Sequence, residues 1–106
     1  MKTVTLKCPQ HAAMKLGHCL QHYADAAYPP GASECAQASR AALFGAAESI
    51  LTQSNNDSES IDISRRLRTN IKAALTYCEQ QSEDKKIYQQ LLKTLSGEAV
   101  SKDEWL

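Results

Sequence analysis

Apolar residues recur along most of this chain at steps of three and four, which is the spacing of an α-helix with one buried face. The steps are clearest in four segments, interrupted by short polar stretches. They predict helices over about residues 9–27, 33–53, 61–81 and 83–95.

Local signals place the ends of these helices. Pro29 and Pro30 stop the first helix, because proline cannot continue the hydrogen-bond ladder. Ser33 is positioned to accept from the first free amides of the second helix, and Gly97 can adopt the left-handed conformation that ends the fourth. A turn near Ser82 separates the third helix from the fourth, although one continuous helix fits the same pattern.

The remaining segments are short. Val4 and Leu6 alternate with polar residues, which predicts an extended N-terminal arm that caps the fold or pairs with another chain but is too short to found a sheet. Residues 54–60 form a polar loop, and a capping-box pattern at 101–104 predicts a short helical turn over 101–106. We therefore expect one all-α domain over residues 1–106, an up-and-down four-helix bundle with this arm at its start.

Composition narrows the functional classes. Twelve Lys and Arg balance twelve Asp and Glu, whereas proteins that bind phosphate backbones carry a basic excess, so we expect no nucleic-acid partner. No segment approaches the ~20 apolar residues of a membrane span, and the N-terminus lacks the apolar run of a secretory signal. The sequence predicts a cytoplasmic protein with reduced cysteines and no membrane contact.

The second helix carries large apolar groups on two sides. Its main apolar face consists mostly of small residues, while Phe44 and Leu51 point away from that face. Trp105 is a candidate anchor at the end of the chain, or a plug for the core. Since no phosphate-binding loop or paired carboxylates are found, we expect a non-enzymatic adaptor, inhibitor or regulator that binds another protein or itself, with a homo-oligomer as the expected form.

An alternative is a transition-metal site on the first helix. At ~100° per residue, five side chains fall within a stripe roughly 100° wide. This histidine–cysteine stripe contains Cys8, His11, His18, Cys19 and His22. His18 and His22 are four residues apart, which is how one helix chelates zinc or copper. A single helix cannot surround an ion, so Cys35 or Cys78 would have to supply a further ligand.

Overall fold

The structure is a computed structural model that describes residues 3–55, 59–98, 100 and 105. Its elements are β1 (Thr3–Lys7), α1 (Gln10–Ala27), α2 (Glu34–Ser54), β2 (Ser60–Ser64), a single 3-10 turn (Arg65–Leu67), α3 (Arg68–Gln81) and α4 (Lys85–Leu95). Most of the described residues are helical, which agrees with the predicted class. The up-and-down bundle stays a prediction, and the predicted capping box at 101–104 lies outside the described residues.

The helix ends follow the local signals in the sequence. Ser33 Oγ accepts a hydrogen bond from the backbone N–H of Ala36 at 3.3 Å and caps α2. Gly97 has a φ of 93°, in the left-handed region that suits glycine, directly after α4. Ser82 is extended, so α3 and α4 are separate helices.

The third helix begins at Arg68, so the predicted start near residue 61 is wrong. Ser60–Ser64 instead forms β2, which pairs antiparallel with β1 so that Leu6 lies opposite Ile61 and Val4 opposite Ile63. Ile61 and Ile63 are buried and Asp62 between them is exposed, the period of two expected of a strand with one buried face. The expectation that the N-terminal arm founds no sheet is also wrong, because this same chain supplies its partner strand.

A side chain from α2 binds the backbone of β2. The Oε1 of Gln53 accepts from the Asp62 backbone N–H at 2.7 Å, while its Nε2 donates to the Asp62 carbonyl at 3.0 Å. On the opposite side, Thr5 Oγ1 donates to Asp62 Oδ1 at 2.6 Å. The Gln53 amide thus makes the two bonds that a neighbouring strand would make, and it ties the two-stranded sheet to α2.

Helix α1 lies at the centre of the packing and contacts α2, α3 and α4. The largest fully buried apolar side chains come from every strand and helix: Leu6, Leu16, Leu20, Leu43, Ile50, Ile61, Ile71, Leu75 and Leu91. Gly17 allows α2 to approach α1 closely, because a Cβ at this position would lie 2.6 Å from Leu51 Cγ. No helix within the described ranges is long and apolar enough to cross a membrane.

We predict that Gly17→Ala destabilises the protein, and that the effect reverses once Leu51 is shortened. Overpacking costs roughly 1–3 kcal/mol, which exceeds the gain of up to about 1 kcal/mol from replacing a helical glycine by alanine. In a Leu51→Ala background the contact is gone, so Gly17→Ala should stabilise. Urea denaturation of the four proteins measures this coupling.

Gly45→Ala is the matched control, because a Cβ at Gly45 meets no atom of the described residues within 4 Å. This change should raise the free energy of unfolding by roughly 0.5–1 kcal/mol in either background. An effect of Gly17→Ala that is the same with and without Leu51 would contradict the close contact between α1 and α2.

We also predict that Gln53→Ala loosens the sheet. The two bonds to Asp62 each contribute roughly 0.5–1.5 kcal/mol net, so the variant should lose about 1–2 kcal/mol of stability and the Asp62 amide should exchange faster with solvent. Amide hydrogen exchange measures the second effect directly. Gln80→Ala, at an exposed position of α3, is the control and should leave Asp62 protected. Unchanged Asp62 protection in Gln53→Ala would refute this role of the amide.

Candidate functional site

A groove of about 580 Å³ runs along the outer surface of α2 beside α1. Its described lining residues are Gln21 from α1 and Ala41, Phe44, Gly45, Glu48, Leu51, Thr52 and Asn55, which lie on α2 or directly after it. The structure therefore brings Phe44 and Leu51, two residues that the sequence pattern singles out for interaction, into one depression. Both are half-buried, so they form the wall of a groove and do not project freely into solvent.

Contacts behind the groove hold its two large apolar side chains. Leu51 packs on the bare backbone of Gly17. The guanidinium of Arg40 lies 4.7 Å from the centre of the Phe44 ring, within the range of a cation–π contact. Arg40 is itself held by Asp25 Oδ1 at 2.7 Å and by the carbonyl of Tyr28 at 3.2 Å. The groove wall is thus built by contacts across α1 and α2 and exists before any partner binds.

The chemistry of the groove suits binding. Ala41 and Gly45, about one helical turn apart, are exposed and small, which leaves room for another backbone to approach. Glu48 carries the one ionisable side chain among the described lining residues, and Thr52 and Asn55 add polar groups at one end. The Glu48 carboxylate provides a negative charge that attracts cationic groups.

Trp105 lies elsewhere, in the core. It is 7% exposed and packs with the buried cluster, which is the position of a plug for the core. Its backbone carbonyl accepts from His11 Nε2 at 3.3 Å, and both residues border a second cavity of about 540 Å³ next to the start of α1. A buried indole cannot anchor a partner without first leaving the core, so of the three residues predicted for interaction only Phe44 and Leu51 are partly accessible.

The histidine–cysteine stripe divides between the core and the surface. Cys8 and Cys19 are each 3% exposed, whereas His11, His18 and His22 are exposed. Burial raises the pKa of Cys8 to about 11, which disfavours the thiolate that a metal would need. Over the ranges the structure describes, no group of three or more His, Cys, Asp or Glu side chains is placed to hold an ion. The zinc or copper site remains a prediction from the sequence.

Two cysteines, Cys19 and Cys78, lie close together in the core. The Sγ of Cys78 on α3 lies 3.7 Å from the carbonyl oxygen of Cys19 on α1, and the Cys19 thiol donates to the carbonyl of Ala74 at 3.2 Å. All four cysteines of the chain are free thiols, and Cys35 alone among them is exposed. The sequence shows Cys19 and Cys78 each on an apolar helix face, but their register across two helices depends on the fold.

Several groove residues have no individual signal in the sequence. Gln21 belongs to the groove because α1 packs beside α2, and Gly45 is notable for the open space above it. Glu48 lies one turn from Phe44 and Leu51, so a helical projection of α2 could have identified it.

Comparison with known proteins supplies no further guide to this site. Neither a scan against protein-family models, nor a search of curated proteins, nor a search of solved structures finds a match to the chain.

Proposed function

We propose that the protein is a non-enzymatic binding module that associates through the groove on α2, and that the groove receives α2 of a second copy of the chain. The observation that carries this proposal is the groove itself. Phe44 and Leu51 form its wall, and at Ala41 and Gly45 its floor has no side chain larger than a methyl group. Two such helices can approach closely, in the way that small residues permit at helix crossings.

The distribution of charge along α2 favours an antiparallel pairing. If two α2 helices cross antiparallel with Phe44 opposite Phe44, residues four positions on either side lie at the same height. Arg40 of each copy then lies level with Glu48 of the other. A parallel pairing would place like charges together, which is unfavourable. One twofold contact therefore covers the apolar ring and brings Glu48 level with a guanidinium that Asp25 of its own chain already holds.

The role follows from this mode of binding. A small helical protein whose surface is committed to a partner is an adaptor, inhibitor or regulator, and the proposed self-association sets the form in which it acts. We further place it in the cytoplasm, a compartment in which the free thiols of the four cysteines are stable.

The test is the molar mass of the protein in solution as a function of concentration. Sedimentation or light scattering should show a dimer that dissociates on dilution. Phe44→Asp should raise the dissociation constant at least 100-fold, because it buries a charge where an aromatic ring packed. Circular dichroism should show that helicity is retained.

Gly45→Gln provides a second variant, at a position where the fold leaves space for a side chain to start. Among the described residues no atom lies within 4 Å of a Cβ at this position, so the longer side chain should extend into the groove and weaken dimerisation at least tenfold, with helicity checked by circular dichroism. Met14→Gln is the matched control, because Met14 is an exposed apolar residue of α1 outside the groove and should leave the dimer intact. A chain that is monomeric at every concentration, or a dimer indifferent to Gly45→Gln, would overturn the proposal.

A further inference from the structure

We propose that Cys19 and Cys78 form a redox-active pair that hydrogen peroxide converts into an intramolecular disulfide joining α1 to α3. The two residues are 59 positions apart in the chain and meet only because these helices pack together. Each thiol lies against the backbone of the opposite helix: Cys78 Sγ against the Cys19 carbonyl, and Cys19 Sγ against the Ala74 carbonyl. Disulfide formation requires the two side chains to rotate until their sulfurs are about 2 Å apart.

The environment makes the two thiols unequal. Interaction with the nearby Cys19 thiol lowers the pKa of Cys78, although burial acts in the opposite direction. The same interaction, together with burial, raises the pKa of Cys19, whose thiol donates to the Ala74 carbonyl. Negative charge therefore resides on Cys78 when the pair loses a proton, while Cys19 keeps its proton.

The neighbouring groups include a phenol and a cation. Burial raises the pKa of Tyr88 on α4, and charge on Cys78 or Cys19 raises it further, so its hydroxyl stays protonated beside the pair. Lys15, which is paired with Asp84, lowers the pKa of that phenol.

The reaction proceeds in two steps. The Cys78 thiolate attacks one oxygen of hydrogen peroxide, the O–O bond breaks, and hydroxide leaves and is protonated to water, which gives Cys78 sulfenic acid. Cys19 then loses its proton and attacks the Cys78 sulfur, the S–O bond breaks, and the hydroxyl group leaves as a second water. Two thiols and one peroxide thus give one disulfide and two waters.

The other two cysteines provide internal comparisons. Cys8 is buried without a thiol partner, and its raised pKa leaves it protonated. Cys35 is exposed at the start of α2 and can react singly or link two chains. We therefore expect oxidation of the folded protein to affect Cys35 and the pair, and to spare Cys8.

The experiment uses the Cys35→Ser protein, in which the exposed thiol is gone. After treatment with hydrogen peroxide, alkylation of remaining thiols under denaturing conditions should label Cys8 alone, and peptide mapping should recover a Cys19–Cys78 link that dithiothreitol reverses. The cross-link should also raise the melting temperature by about 10 °C or more, because it closes a long loop in the unfolded chain.

Single substitutions in the same background separate the two roles. With Cys19→Ser, Cys78 should stop at sulfenic acid, which dimedone traps; with Cys78→Ser, Cys19 should remain a thiol. Cys8→Ser is the control and should leave the disulfide unaffected. The proposal fails if both thiols stay reduced under peroxide that oxidises Cys35 in the unmodified chain, or if the link joins Cys8.

Discussion

The packing of α1 between α2 and α3 is the constraint on which the rest of the structure depends. Most of the stability of a helix within a protein comes from tertiary packing, so α1 is held by the elements that cover it. Leu16 and Leu20 are fully buried, which fixes the rotation of α1 about its axis. Gly17 then faces α2 and Cys19 faces α3. The groove on α2 depends on the first of these faces, and the pair of Cys19 and Cys78 depends on the second.

Much of the helical architecture could be predicted because its signals are local. Ser33 needs only the next turn of chain to act as a cap, and Gly97 needs only its own φ. β2 could not be predicted in this way, because Ile63, Leu67 and Ile71 step by four and fit a helix equally well. The segment becomes a strand because β1, 57 positions earlier in the chain, places Leu6 and Val4 opposite the two isoleucines of β2. A pattern within one segment cannot report a partner that distant.

The candidate site likewise combines features that the sequence of one helix predicts with features that depend on distant residues. Phe44 and Leu51 could be found from the sequence because their angular positions on a single helix set them apart from its small-residue face. Their half-burial could not, since it depends on Gly17 and Arg40 meeting them across α1 and α2. In the histidine–cysteine stripe, Cys8 precedes α1, so the predicted helical projection does not apply to it, and the core boundary crosses the side of the helix that carries the other four residues. Cysteine, as a small hydrophobe, lies inside this boundary and histidine outside it.

The groove and the thiol pair lie on different faces of α1, and this separation determines how they can influence each other. A disulfide between Cys19 and Cys78 would fix α1 to α3 but would leave the contact of Gly17 with Leu51 in place. The groove can therefore respond to oxidation only through a rigid movement of α1, which would carry Gln21 at the groove wall with it. Because packed helices move as units and a Cβ at Gly17 would lie only 2.6 Å from Leu51 Cγ, such a movement is expected to take α2 along. If the proposed disulfide forms, the groove should therefore keep its shape and persist longer in the cross-linked protein.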